Sequence, residues 1–163
     1  MNIKNIKCTQ YRCANKLVSI LGGIKMQEIK RGDVWLVDLG KPDGTSKQSG
    51  IRPVIITSNN KANMNSPVIH VVPLTTRVKS KLPTHLDVDI DNMESGIIIK
   101  SIVLAEQVML IDKGLLHKKL GQLDLRTMDK VDIRIMIQFG LYERVRNIKQ
   151  ELNILKQKTL ARC

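Results

Sequence analysis

The sequence predicts a mainly β domain, a small twisted barrel or sandwich, with one packed helix at its C-terminal side. Short apolar segments rich in β-branched residues follow one another from residue 33 to residue 111, separated by loops rich in glycine, proline, asparagine and aspartate. Amphipathic helical patterns come only after these segments, so strands and helices do not alternate as in a doubly wound parallel sheet. Many short strands followed by a helix are typical of small closed β folds.

The first three strands are predicted from unbroken or nearly unbroken apolar runs. They are separated by a Gly-, Pro- and Asp-rich loop and by a polar turn. The second strand has no polar residue after Arg52 until it ends, which is typical of a strand buried on both faces. In order, the segments are strand 33–39, loop 40–47, strand 52–57, turn 58–66 and strand 67–74.

The next strand, residues 84–90, alternates polar and apolar residues and should be half exposed. The alternation puts His85 on the exposed face, together with Asp87, Asp89 and Asp91, which we interpret as a solvated acidic edge that discourages pairing with other sheets. Further strand segments follow at residues 97–99, 101–104 and 107–111.

Asp124 is a suitable N-cap for the terminal helix. The apolar residues that should face the core recur at spacings of three and four, and they are Met128, Val131, Ile135 and Phe139. A second helical pattern, 4-3-4-3 in spacing, runs through Leu141, Val145, Ile148, Leu152 and Leu155. Two heptads are too short for a secure coiled coil, so an amphipathic helix lying on the domain or on a partner is favoured over self-pairing.

The charge and composition divide the 163 residues into a central domain and two basic ends. Residues 1–25 form a basic extension, which lies upstream of the natural start if Met26 is that start, and residues 142–163 form a basic amphipathic tail. These ends carry +5 and +4 of the net charge of +12, leaving +3 on residues 26–141. The centre therefore offers no purely electrostatic argument for nucleic-acid binding, and an aromatic content of 2% argues against base-stacking platforms.

Several classes of site have no sequence support. No P-loop, dinucleotide-binding glycine pattern or His-Glu-x-x-His motif occurs, and no metal or cofactor is predicted. The three cysteines, Cys8, Cys13 and Cys163, lie in the ends without zinc-type spacing, which favours a reducing compartment. The apolar run 17–24 is too short to span a membrane and lacks a convincing cleavage site, so the cytoplasm is the expected location.

Arg52 and Thr75 are the candidate catalytic residues. A proline follows Arg52 and favours extended backbone there, so the guanidinium, whose planar fork matches a phosphate, would project from the start of a strand. A threonine adds a neutral donor at the end of the next strand. Taken singly, Arg52 could equally be a surface arginine, Thr75 an ordinary strand residue, and Gln107 either a base-recognising amide or a strand end.

Taken in order, the segments resemble the MazF/PemK family of toxin ribonucleases over about residues 28–141. The matching text comprises Lys30-Arg31-Gly32-Asp33-Val34-Trp35, Gln48-Ser49-Gly50-Ile51-Arg52-Pro53-Val54, Pro73-Leu74-Thr75-Thr76, Lys81-Leu82-Pro83-Thr84-His85, Leu104-Ala105-Glu106-Gln107, and the helix with Leu123-Asp124 and Lys130-Val131-Asp132. The resemblance implies an SH3-like small β-barrel of the MazF/PemK/CcdB type with a C-terminal helix, usually a homodimer.

The same resemblance implies a function. It implies metal-independent, cofactor-free cleavage of single-stranded RNA by attack of the 2′-hydroxyl, giving 2′,3′-cyclic phosphate and 5′-hydroxyl ends. Arg52 and Thr75 would be catalytic, with Gln48, Lys47, Thr76, Arg77 and Gln107 contacting RNA. The implied partner is an antitoxin whose acidic segment covers the RNA groove, and promoter DNA would be bound only through the antitoxin complex.

One position departs from the family pattern. Ser46-Lys47-Gln48 stands where Ser-Glu-Gln is common, so a lysine replaces a glutamate on which some members rely. The general base is therefore open. Two alternatives to the ribonuclease are an antitoxin-binding module that has lost cleavage and a gyrase-directed toxin of the same fold. A gyrase-directed toxin has no need of a phosphate clamp such as Arg52 and Thr75.

Overall fold

The computed structural model describes residues 28–42, 44–77, 80–91 and 96–160, which form seven strands and three α-helices. The strands are β1 (Asp33–Asp38), β2 (Ile51–Ile56), β3 (Val68–Thr75), β4 (His85–Asp91), β5 (Ile98–Leu104), β6 (Met109–Asp112) and β7 (Leu116–Gln122). The helices are α1 (Asn60–Asn65), α2 (Leu125–Gln138) and α3 (Tyr142–Leu160). Two short 3₁₀ turns, Ala105–Gln107 and Lys113–Leu115, flank β6.

The strands form one curled antiparallel sheet in the order β4-β5-β3-β2-β1-β7. β3 pairs with three other strands. β2 is hydrogen-bonded to one edge of β3, and β6 and β5 are hydrogen-bonded to successive parts of the other edge. The start of β3 pairs with β6, and its last two residues pair with β5. The mainly β architecture with a helix after the strands, predicted from the sequence, is confirmed.

The outermost strands of this order, β4 and β7, approach each other closely at Gly121. A Cβ atom added to Gly121 would lie 2.4 Å from the carbonyl oxygen of Asp91 and 3.5 Å from the side chain of Ile90. Real Cβ atoms do not come so near to backbone, so only glycine allows the two strands to meet here. This contact curls the sheet toward a barrel.

The core lies on both faces of the central strands. One apolar cluster, which includes Val34, Ile55 and Val72, is covered by Met128 and Val131 of α2. A second cluster on the opposite face includes Trp35, Val54 and Ile69. Consecutive residues of β1 and β2 thus enter opposite clusters, and the prediction that the second strand is buried on both faces is confirmed for Val54–Ile56. Ile51, which begins β2 in the structure and lies outside the predicted strand, is exposed.

The start of β1 is fixed by three neighbouring residues. Gly32 adopts a φ of +86°, a conformation that other residues rarely tolerate, and the Arg31 guanidinium donates to Asp132 of α2. Asp33 is fully buried, and its carboxylate lies 2.6 Å from the Lys119 ammonium of β7 and 2.8 Å from the Lys30 amide nitrogen, which donates to it. These contacts tie β1 to β7 and to α2.

Some predicted elements differ from the observed ones in their limits. A short helix, α1, occupies part of the segment predicted as a turn, capped by the side chain of Asn59. Segments 97–99 and 101–104 form one strand, and Gln107 lies in a 3₁₀ turn, not in a strand. β7 was not predicted, because Leu116–Gln122 carries three polar or charged residues in succession and a glycine.

Three predictions about exposure also need correction. The His85 side chain, predicted exposed, is only 6% exposed because it pairs with Glu106, and Phe139, predicted to face the core, is exposed at the end of α2. The helix in the C-terminal tail is present, but its apolar seam does not lie on the domain. Asp87, Asp89 and Asp91 are exposed along β4, as predicted.

The predicted N-cap of the terminal helix is confirmed. The Asp124 carboxylate accepts from the Thr127 amide at 2.8 Å and from the Thr127 hydroxyl at 3.0 Å, and these two bonds lower the pKa of Asp124. Cap residues satisfy backbone donors that have no partner inside the helix.

The predictions made for the N-terminal extension and for Cys8, Cys13 and Cys163 fall outside the described residues. In the part of the chain that is described, no helix is both long enough and apolar enough to cross a membrane.

Replacing Asp33 with alanine is expected to lower the free energy of unfolding by about 3–5 kcal/mol, because the half-buried Lys119 charge would lose its partner. Urea unfolding followed by Trp35 fluorescence measures this. Asp89→Ala, on the exposed edge, should change stability by less than about 0.5 kcal/mol. Equal effects for the two variants would show that the Asp33–Lys119 ion pair does not anchor β1.

Candidate active site

Arg52 and Thr75 lie at the same end of two neighbouring strands. β2 and β3 are antiparallel, with Val54 paired to Pro73. Arg52 and Thr75 each lie two residues beyond this last observed pair, at the same end of the two strands. The two residues that the sequence singled out as catalytic therefore lie toward one end of the sheet.

The Arg52 side chain is oriented by the loop that precedes it. Its Nε donates to the carbonyl oxygen of Ser49 at 2.5 Å, and the residue is half buried. On the other side, Arg52 pairs with Val37 of β1. Among the described residues, no further hydrogen bond holds the two terminal nitrogens of the guanidinium. The group is thus fixed at Nε while its outer edge stays available to an anion.

Thr75 is the last residue of β3 and only 4% of it is exposed. Its hydroxyl oxygen accepts from the Arg77 amide at 3.2 Å. A hydroxyl that accepts in this way keeps its own proton for donation. The same bond turns the chain after β3, and Thr76 and Arg77 follow on the exposed side of that turn.

Gln107 closes the loop before β2. Its side-chain oxygen accepts from the Gln48 amide at 3.4 Å, and its side-chain nitrogen donates to the Ser46 carbonyl at 3.2 Å. Both ends of one amide group are therefore used on the backbone of residues 46–48. Since Ser49, next in the chain, accepts from Arg52, Gln107 and Arg52 are linked through four consecutive loop residues.

Glu106, next to Gln107, holds a second loop. One of its carboxylate oxygens lies 3.0 Å from Nε2 of His85, and the other accepts from the Thr84 hydroxyl at 3.1 Å. Nδ1 of His85 accepts from the Leu82 amide at 3.4 Å. The proton of a neutral His85 is thus assigned to Nε2, facing Glu106. The turn 105–107 consequently fastens both the loop before β2 and the loop before β4.

The remaining predicted residues lie around this cluster. Gln48 is half buried beneath the loop, whereas Lys47, Thr76 and Arg77 are exposed at its rim. A hydrogen bond joins Gln48 to Gln107. Among the described residues, no hydrogen bond or ion pair joins Arg52 to Thr75, or Lys47 to either of them.

Sequence reasoning missed three contributors, the Ser49 carbonyl and the side chains of Glu106 and His85. The signal was present, because Leu82-Pro83-Thr84-His85 and Ala105-Glu106-Gln107 are both motifs quoted for the family resemblance, and the structure pairs them.

In the described part of the chain, neither the concave surface of the domain nor a metal site offers an alternative location for the active site. A concave region at the start of α2, lined by Arg31, Asn60 and residues 122–128, contains none of the predicted site residues. Within the described residues, no group of three His, Cys, Asp or Glu side chains is arranged to hold a metal ion.

The described chain is thus a small curled antiparallel sheet with an arginine, a threonine and a hydrogen-bonded loop toward one of its ends. A family model for the PemK-like, MazF-like toxin of type II toxin–antitoxin systems matches residues 30–139. The chain belongs to this family, which confirms the resemblance predicted from its motifs.

Individual relatives support the same assignment. The chain is 41% identical to endoribonuclease EndoA of Bacillus subtilis (strain 168) over 116 residues, covering 71% of this chain and 97% of that protein. A solved endoribonuclease from a Mycobacterial species, in complex with its cognate antitoxin, is 26% identical, with a TM-score of 0.55 and coverage of 69% and 96%. MazF of Deinococcus radiodurans, 18% identical with a TM-score of 0.56 and coverage of 69% and 96%, shares the fold. The predicted fold and the endoribonuclease class are confirmed.

Removing the Gln107 side chain is expected to loosen the loop before β2. Two neutral hydrogen bonds contribute about 1–2 kcal/mol together, so trypsin cleavage after Lys47 should become roughly tenfold faster in Gln107→Ala, while global unfolding changes little. Gln107→Glu keeps an acceptor for Gln48 but loses the donor to Ser46, and should be intermediate. Gln138→Ala, on the exposed side of α2, is the matched control. An unchanged cleavage rate in Gln107→Ala would contradict the role of this amide.

Proposed function

We propose that this toxin cleaves single-stranded RNA, chiefly mRNA, at a short sequence, without a metal ion and in the cytoplasm. The proposal includes a homodimer as the working form. It rests on the family, on the endoribonuclease relatives and on one observation above all: Arg52 and Thr75 lie at the same end of the paired strands β2 and β3.

The two side chains fit the charge changes of phosphodiester cleavage. The 2′-oxygen forms a bond to phosphorus while the bond from phosphorus to the 5′-oxygen breaks, giving a cyclic phosphate and a 5′-hydroxyl. Negative charge grows on the non-bridging oxygens in the pentacovalent state. The guanidinium of Arg52 and the hydroxyl of Thr75 stabilise that charge. The 2′-hydroxyl proton passes to solvent, and Arg52 protonates the departing 5′-oxygen and regains its proton from solvent. Donors held in place before the reaction often give the largest part of the rate enhancement.

The loop before β2 supplies the surroundings of the phosphate. Gln107 and the Ser49 carbonyl hold this loop and the guanidinium in one arrangement, so little reorganisation remains when RNA binds. Lys47, Thr76 and Arg77 surround the cluster and contact the RNA backbone, and Gln48 lies beneath the path of the RNA. The side-chain oxygen and nitrogen of Gln107 are both hydrogen-bonded to the loop. In this proposal the amide therefore contacts RNA only through its remaining hydrogen-bonding capacity.

The base that accepts the 2′-hydroxyl proton is not Lys47 in its charged form, because an ammonium has no acceptor. Glu106 is the carboxylate next to Gln107, but it is engaged with Thr84 and His85. Lys47 instead adds positive charge where the family pattern has a glutamate, and it strengthens binding of the polyanion at the cost of that carboxylate.

The partner is an antitoxin, as in the related Mycobacterial complex. An extended acidic segment of the antitoxin covers the cluster of Arg52, Lys47 and Arg77 and competes with RNA for it. Promoter DNA is bound by the antitoxin in the complex, and the toxin alone makes no specific contact with it.

A second candidate function is favoured by Lys47 itself. In this second candidate, the chain lacks the family glutamate at the position of Lys47 and therefore binds the antitoxin but cleaves RNA little or not at all. The two functions share the same surface and differ only in turnover.

The experiment incubates purified protein in EDTA with a long single-stranded RNA and maps the new ends. Discrete cuts with 5′-hydroxyl ends are expected. Arg52→Ala should cut about 10²–10³ times more slowly, because one donor to the developing charge is lost. Arg126→Ala, an exposed arginine on α2, is the matched control and should cut at the parental rate.

Circular dichroism shows whether Arg52→Ala is folded. Cleavage by a folded Arg52→Ala at the parental rate would disprove the catalytic assignment. No cuts by the folded parent would favour the binding module, and Lys47→Glu should then restore cleavage. Cleavage that EDTA abolishes would disprove metal independence.

A further inference from the structure

An exposed apolar seam runs from Leu141, just before α3, to Leu155 within it. The seam residues are 47–59% exposed, and they are Leu141, Val145, Ile148, Leu152 and Leu155. Their 4-3-4-3 spacing places them on one side of the helix. An exposed seam of this kind in an otherwise well-packed protein indicates an interaction surface.

The turn between α2 and α3 directs this seam away from the domain. Gly140 adopts a φ of +67°, its amide donates to the Ile137 carbonyl, and the Leu141 amide donates to the Met136 carbonyl. This is the Schellman arrangement that ends a helix. α3 therefore starts in a new direction, and it does not continue the face of α2 that covers the core.

α3 is also an addition to the shared fold. The family model ends at residue 139, and the Bacillus relative is matched over 97% of its length by 116 residues of this chain. The region matched by the family model therefore does not include this helix. A partner of α3 would bind outside the matched region and outside the candidate active site.

The charges beside the seam favour an acidic occupant. In heptad notation, the d positions of the seam are Leu141, Ile148 and Leu155. The a positions are Val145 and Leu152. The flanking positions, which select partners in paired helices, then hold Arg144, Lys149 and Lys156 against one acid, Glu151. A helix with glutamates or aspartates at its own flanking positions would meet three cations.

A second copy of α3 is a poorer occupant. In a parallel pair, Arg144 faces Lys149 of the other helix, and this like-charge contact offsets the contact of Glu151 with Lys156. In an antiparallel pair, the two lysine-bearing edges face each other. RNA would use the cations but leave the apolar seam exposed to water, so the seam argues against it.

We propose that α3 is a docking helix for an acidic amphipathic helical segment of a partner polypeptide. Apolar residues of that segment pack into the seam, and its carboxylates pair with Arg144, Lys149 and Lys156. The inference rests on the proposed function in one respect only: the cognate antitoxin is the polypeptide in which we expect the segment. Docking there adds a second contact, outside the RNA site, and makes pairing with this toxin selective.

Two synthetic peptides test the proposal, each three heptads long with leucine at the seam positions. One carries glutamate at the flanking positions and the other carries lysine. Fluorescence anisotropy with the full-length protein should show binding of the glutamate peptide roughly tenfold tighter than the lysine peptide, with the difference shrinking as salt rises.

Matched variants of the full chain assign the surface. Ile148→Ser/Leu152→Ser should abolish binding, whereas Leu125→Ser, which removes an exposed leucine of α2, should leave it unchanged. Arg144→Glu/Lys149→Glu/Lys156→Glu should reverse the preference to the lysine peptide. RNA cleavage should be equal in all of these proteins, so a failure of docking is distinguishable from a failure of the ribonuclease.

Three results would overturn the proposal. The first is equal binding of the two peptides, or binding of neither, by the folded parent protein. The second is self-association of the parent in sedimentation that Ile148→Ser/Leu152→Ser removes, which would assign the seam to a second copy. The third is glutamate-peptide binding that survives Ile148→Ser/Leu152→Ser.

Discussion

The divided edge of β3 is the constraint on which the candidate site depends. β6 occupies this edge up to Val71 and β5 occupies it from Leu74, so the chain between β5 and β6 must turn outward against the middle of β3. Pro73, which cannot donate a backbone hydrogen bond, lies in the interval between the two pairings. The turn is Ala105–Gln107, and its two polar side chains reach opposite loops. If one uninterrupted strand paired with this whole edge of β3, the turn Ala105–Gln107 would not exist, and its side chains would not hold the loops near Arg52 and Thr75.

Stability and chemistry are supported by different charged residues. Arg31 forms an ion pair with Asp132 of α2, and Asp33 forms one with Lys119 of β7. None of these residues is among the predicted site residues. Arg52 is positioned instead by a backbone carbonyl, and no salt bridge to Arg52 is present among the described residues. In the proposed function this leaves the outer edge of the guanidinium for a phosphate.

The sequence carried enough information for the strands whose apolar residues form long runs. β1, β2, β3 and β4, the Asp124 cap and the positions of Arg52 and Thr75 near strand ends were accessible, because each depends on local pattern and order. β7 was not, because Gly121 and its charged neighbours are explained only by contacts with Asp91 and Asp33 on distant strands. His85 was assigned to the solvent for the same reason: alternation gives the face of a strand, but not the carboxylate of Glu106 that covers it. Phe139 continues the helical spacing of core residues and was therefore predicted to be buried. It is exposed because α2 ends just before it.

The pairing of β1 with β7 also orders events during synthesis. The chain is made from its N-terminus, and Gln107 completes the set of candidate site residues well before β7 and α2 have emerged. Until then Asp33 has no lysine beside it, Arg31 has no aspartate, and one edge of β1 is bare. A ribosome-bound chain therefore carries all the candidate site residues before the contacts that fix β1 can form. The frame of the candidate site is complete only when the last strand pairs with the first, after those residues have been translated.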